Sequence, residues 1–123
     1  MIQEAPKEIA AIHDYHAHIY YDPTSKDRAA QLRRWVEDRF AGQMRMGSWH
    51  DEEVGPHVQA MYQIAFAPER FATFIPWLML NRQGLDILLH PATGDDYLDH
   101  TSHAAWLGHV LPLRLDVLRS GAS

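Results

Sequence analysis

The chain has no cysteine, and only two of its 123 residues are lysine. The first absence excludes disulfides and thiolate-held metals, and it suits a reducing compartment better than secretion. Carboxylates outnumber the basic side chains, leaving a formal net charge of -5. That is the wrong sign for a surface that grips nucleic-acid phosphates without regard to sequence. No apolar run approaches the roughly 20 residues that span a bilayer. Residues 1–11 lack the basic-then-apolar order of a signal peptide, so a cytoplasmic location is expected, with no nucleic-acid or membrane partner. A phosphate-binding glycine loop and a nucleophile elbow are also missing.

What remains is ordinary globular material, 46% hydrophobic and 22% charged. A chain of this length reads as one domain, residues 1–123, with residues 1–12 a flexible N-terminus; it buries roughly two-thirds of its unfolded surface. The unusual count is histidine, of which there are nine. Histidine is the commonest metal ligand and titrates near neutral pH, so its placement decides what the excess means.

Placement follows from periodicity. Tyr15, Ala17, Ile19 and Tyr21 alternate with Asp14, His16, His18 and Tyr20, the period of a half-buried strand over residues 14–21. Thr24 or Ser25 then caps a helix in which Ala29, Leu32, Val36 and Phe40 recur at helical spacing, stopped by Gly42. A short strand is predicted at 44–49, a loop through Gly55-Pro56, and a longer strand at 58–66. Pro68 opens a second helix that runs toward Asn81 with Pro76 as a kink and Gly84 as its end. Residues 85–89 read as a fourth strand ending in His90-Pro91. Residues 99–107 suggest a short helix, and the alternation of Leu111, Leu113, Leu115 and Val117 suggests a last, edge strand. Strand, helix, strand, strand, helix, strand in that order gives an α+β, ferredoxin-like βαββαβ sheet. Its helices cover one face, the other face stays open, and a C-terminal extension follows.

Alternate side chains point to opposite faces, so parity sorts the histidines. The apolar sets face the helices, which sends His16, His18, His57, His90, Gln59, Gln63 and Asp86 to the open face. In this topology the first strand lies between the third and the fourth. His90 then ends its strand near the start of the first, whereas His57 begins its strand near the far end. His16, His18 and His90 form the tighter metal-binding set, with His57 nearer a substrate. His100 suits either an acid/base role or a helix cap, and Arg82 suits a substrate carboxylate. His13, His50, His103 and His109 are assigned to surface or packing, and Asp95 and Asp96 to a solvated turn. Trp77, Trp106, Phe71 and Phe74 are assigned to the core.

Taken together, the motifs His16-Ala17-His18-Ile19-Tyr20, Gly55-Pro56-His57, Leu80-Asn81-Arg82-Gln83-Gly84-Leu85, Leu89-His90-Pro91-Ala92-Thr93-Gly94, Asp99-His100-Thr101 and Trp106-Leu107-Gly108 resemble the DOPA 4,5-dioxygenase family. They occur in order from the first strand to Gly108. The resemblance implies extradiol cleavage of a catechol such as DOPA by dioxygen and non-haem Fe(II), to a muconic semialdehyde, by an enzyme expected to be a homodimer. It carries over His16, His18, His57, His90 and His100 as the motif histidines, of which His57 or His100 can take and return the proton, and Arg82 and Tyr20 are the expected substrate contacts. Another divalent metal such as zinc can occupy such a site. A facial triad would also want a carboxylate, for which Asp14, Asp86 and the Asp99 loop are the candidates, an all-histidine site or a ligand from a dimer partner being the alternatives. A non-catalytic dimeric module that binds a metal or a small aromatic ligand is the rival reading, and zinc-dependent hydrolysis a third.

Overall fold

Strand β1, Asp14–Tyr20, sits at the centre of a five-stranded sheet. It is followed by helix α1 at Lys26–Arg39, strand β2 at Arg45–Met46, strand β3 at Met61–Phe66, helix α2 at Phe71–Asn81 and strand β4 at Ile87–Ala92. Helix α3 at Asp96–Asp99, strand β5 at Ala105–Leu107 and helix α4 at Leu115–Gly121 complete it. The structure, a computed structural model, describes residues 2–121. The strand order is β2-β3-β1-β4-β5, antiparallel throughout, which is the expected βαββαβ arrangement with one strand added at the β4 edge.

The alternating apolar residues do the work the periodicity predicts. Ala17 and Ile19 of β1, Tyr62, Ile64 and Phe66 of β3, and Ile87 and Leu89 of β4 join Ala29, Leu32 and Val36 of α1 and Phe74, Ile75 and Leu78 of α2 in one buried cluster. Burying each valine, leucine, isoleucine or phenylalanine among them contributes roughly 1.5–3 kcal/mol against leaving it in water. The Tyr62 hydroxyl donates to the Ala29 carbonyl at 2.7 Å, so this buried polar group is satisfied by α1 itself. None of the described helices is long and apolar enough to cross a membrane.

Several boundaries differ from the expectation: β2 is shorter than 44–49, β3 starts at Met61 and β4 at Ile87. The first helix is entered through Asp22, whose carboxylate accepts from the Thr24 and Ser25 amides at 2.8 and 3.0 Å, so neither Thr24 nor Ser25 caps it by side chain. β4 runs on to Ala92 and keeps His90 and Pro91 inside the strand, opposite His16 and Tyr15. The last predicted strand is absent. Leu111 and Leu113 owe their alternation to packing on Tyr20, Met61 and Leu88, and the chain beyond them turns into α4. The added strand is β5, within the span predicted as a helix, and Trp106 on it stacks on Tyr20 with ring centroids 5.8 Å apart. The face expected to stand open is therefore partly covered by residues 104–113.

Candidate metal centre

β1 presents His16 and His18 away from the helices, and β4 sets His90 directly opposite His16. The Nε2 atoms of His18 and His90 are 3.0 Å apart, and one ligand atom from each of His16, His18 and His90 lies within 4.8 Å of the others. A second set, His18, His57 and His100, meets the same limit. His18, almost fully buried, belongs to both.

His57 does not stand on β3, as the alternation from residue 58 had suggested. β3 begins only at Met61, and the preceding loop folds back over the sheet. The His57 amide bonds to the Val54 carbonyl at 3.0 Å, its backbone bridges Leu113, and the Arg114 amide bonds to the Pro56 carbonyl at 2.8 Å. This fold-back removes the separation that strand direction alone imposes, and the His57 and His18 ring centroids are 4.2 Å apart. His100 is the C-cap of α3 and also a member of the cluster, its ring centroid 4.0 Å from that of His90.

Hydrogen bonds decide which nitrogen of each ring is free. A carbonyl only accepts, so His90 Nδ1 donates to the Pro91 carbonyl at 2.8 Å and His100 Nδ1 donates to the Asp96 carbonyl at 2.7 Å. Both rings, when neutral, therefore offer the Nε2 lone pair to the cluster. His57 Nδ1 pairs with the buried Tyr20 hydroxyl at 2.6 Å, and in the tautomer in which Nδ1 donates to that hydroxyl Nε2 also offers its lone pair. Burial lowers the pKa of His18 well below the ordinary value, that of His57 to about 4 and that of His90 to about 3, with the neighbouring histidines adding to the effect. Burial lowers His16 too, opposed by Asp14. These four rings are neutral near pH 7, the form that binds a metal.

The cluster passes a direct test of fit to a cation. Two imidazole nitrogens 3.0 Å apart need either a proton or a positive ion between or beside them. A proton held by His18 Nε2 leaves its Nδ1 bare, and that atom is buried with no hydrogen-bond partner among the described residues. Five convergent imidazoles, those of His16, His18, His57, His90 and His100, form a donor set for a borderline divalent ion such as iron or zinc.

No carboxylate joins either set. Asp14 lies beside His16, its Oδ2 3.4 Å from His16 Nε2. Asp86 accepts from the amide and ring of His109. Asp99 is buried. Burial opposes its ionisation, but donation from the His103 ring and from the Thr93 amide and hydroxyl outweighs it and holds the carboxyl below its usual range. It thereby pins α3, and with it His100, to the end of β4. His103, assigned to packing, is one of the pins. The structure does not bring Arg82 into the cluster: its guanidinium donates to the Leu85 carbonyl at 2.7 Å, ahead of β4. Tyr20 lies behind His57. A cavity of about 560 Å³ reaches His16 and one of about 450 Å³ reaches His100.

The model of the Dopa 4,5-dioxygenase family matches residues 15–117, which contain every histidine of the cluster. The chain belongs to that family. A DOPA 4,5-dioxygenase of Amanita muscaria is 32% identical over 111 residues, covering 85% of this chain and 49% of the relative. An uncharacterised 21.2 kDa protein of Botryotinia fuckeliana is 36% identical over 115 residues, covering 85% of the chain and 63% of the relative. This Dopa 4,5-dioxygenase family member thus spans between about half and two-thirds of those two proteins. A solved structure from Nostoc punctiforme, described as a "putative dioxygenase", superposes with a TM-score of 0.90 at 45% identity, covering 94% of this chain and 98% of that one.

Proposed function

We propose that the chain is a metal-dependent extradiol dioxygenase that opens a catechol such as DOPA with dioxygen, giving a muconic semialdehyde. The observation that carries this reading is the convergence of His16, His18, His57, His90 and His100, with His90 and His100 fixed by backbone carbonyls, in a member of the Dopa 4,5-dioxygenase family. His16, His18 and His90 would hold Fe(II). Bound iron supplies a redox centre at which closed-shell catechol and triplet dioxygen can meet, and it lowers the pKa of the catechol hydroxyls.

The rest is work for the protein. Neutral ligands leave the full charge of a divalent ion to attract a catecholate, so the missing carboxylate favours an anionic substrate. His57 accepts a hydroxyl proton at Nε2; its pKa near 4 keeps it neutral, and Tyr20 holds the ring in place through Nδ1. His100 Nε2 is the other candidate for that proton. Tyr20 thus acts through His57, and Trp106, Leu111 and Leu113 keep water from this side of the sheet.

The test is anaerobic reconstitution with iron(II), then air and a panel of catechols. A yellow ring-opened product is the expected result. Iron bound stoichiometrically with no product from any catechol overturns the assignment.

A further inference from the structure

One row across the sheet links the metal centre to an arginine that lies outside it. Arg45 on β2 pairs with Ala65 on β3, Ala65 pairs with His16 on β1, and His16 pairs with His90 on β4. Residues paired in this way share a face, so Arg45 stands on the histidine side while its neighbour Met46 packs on the core. Two strand intervals separate Arg45 from His16, about 10 Å of backbone. The residue between them is an alanine, whose methyl group leaves a trough rather than a wall.

That trough is the cavity of about 560 Å³, lined by His13, Asp14, His16, Arg45, Gln63 and Ala65 among others. Gly47 borders it as well, where an added Cβ would come within 3.0 Å of the Gln63 carbonyl oxygen. Arg45 is its one arginine or lysine, and the cavity beside His100 has none. Arg45 Nη2 pairs with Asp14, the carboxylate that also lies beside His16. A guanidinium carries five donors, so this pairing leaves others open to the trough, where the side chain is well exposed.

We infer that Arg45 is a specificity-determining residue that selects catechols bearing an anionic tail. This rests on the ring-cleaving reading: with the two hydroxyls at the histidines, a short acid tail lies along the Ala65 trough and meets the open guanidinium fork. Arginine binds a carboxylate through paired N–H donors, which a lysine only partly replaces.

The experiment compares 3-(3,4-dihydroxyphenyl)propanoate with 4-methylcatechol in the iron-loaded wild type, Arg45→Gln and Arg45→Lys. Arg45→Gln should raise KM for the acid by about tenfold to a hundredfold, leaving its kcat and the KM for 4-methylcatechol nearly unchanged. Arg45→Lys should recover part of the loss. Equal effects on both compounds, or none on either, overturn the assignment. Calorimetric titration of the zinc-loaded protein with the same two compounds keeps the inference separate from catalysis. If neither catechol is cleaved, the ring-cleaving reading fails, yet tighter binding of the acid that disappears in Arg45→Gln still supports Arg45. Binding with no preference for the acid, or no binding at all, refutes it.

Discussion

The Nε2 atoms of His18 and His90 stand 3.0 Å apart across 72 positions of sequence, and His18 Nδ1 is buried without a partner. Such a pair holds a cation more comfortably than it holds itself. A divalent ion should therefore stabilise the protein, by about 2.7 kcal/mol at a free concentration about 100 times Kd. Thermal unfolding with and without iron(II) or zinc measures this. His18→Ala and His90→Ala should both abolish the stabilisation; a full metal response in either variant removes that residue from the ligand set.

Acid should unfold the metal-free protein earlier than its carboxylates alone would require. His18, His57 and His90 have folded-state pKa values depressed below 6.5, to about 4 for His57 and about 3 for His90. The unfolded chain thus binds more protons than the native one in this window. Their contribution is intact above about pH 6.5 and is lost as pH falls toward 4, each ring adding a slope of up to about 1.4 kcal/mol per pH unit. Urea titrations between pH 7 and 4.5 test the sign, and a stability that stays level over that range contradicts the buried neutral rings. Bound metal should move the loss to lower pH, because the ion competes with the protons.

Asp99→Ala should cost about 2 kcal/mol or more, since it strands the Thr93 amide, the Thr93 hydroxyl and the His103 ring at once. It should also weaken metal binding by about tenfold to a hundredfold by loosening the end of β4, the strand that carries the ligand His90. Loss of stability with unaltered metal affinity would make Asp99 purely structural.

Gly108→Ala should be destabilising for two separate reasons. Gly108 has φ +90°, a conformation L side chains rarely adopt, and an added Cβ would lie 2.5 Å from Asp86 Oδ1 and 2.7 Å from Arg82 Nη1. A loss of about 1–3 kcal/mol in chemical denaturation is expected. A neutral result would mean that the loop joining β5 to residues 109–113 can rebuild freely.

Much of this was legible beforehand because alternation reports a face directly. Ala17 and Ile19 declare the inner side of β1, so His16 and His18 had to take the other; Leu89 does the same for His90. His57 was legible as a cluster member but not by the right route. Its loop is fixed by pairing to Leu113 and Arg114, contacts 56 to 58 positions away that leave no local pattern. β5 escaped notice because three residues are too few to show a period, and the Leu111–Leu113 alternation imitated a strand while recording contact with Tyr20 and Leu88. Arg45 leaves no sequence signal for the same reason, since β2 is only two residues long.

The central position of β1 has a genetic corollary. Its six partners on β3 and six on β4 fix it from both edges. Adding or deleting one codon within residues 14–20 would exchange the two sides of part of the strand, driving imidazoles against α1 and α2 and pushing Ala17 or Ile19 out. Such a frame-preserving change removes the metal ligands and the core together. Descendants of this chain can therefore trade individual histidines by substitution more readily than they can gain or lose length here.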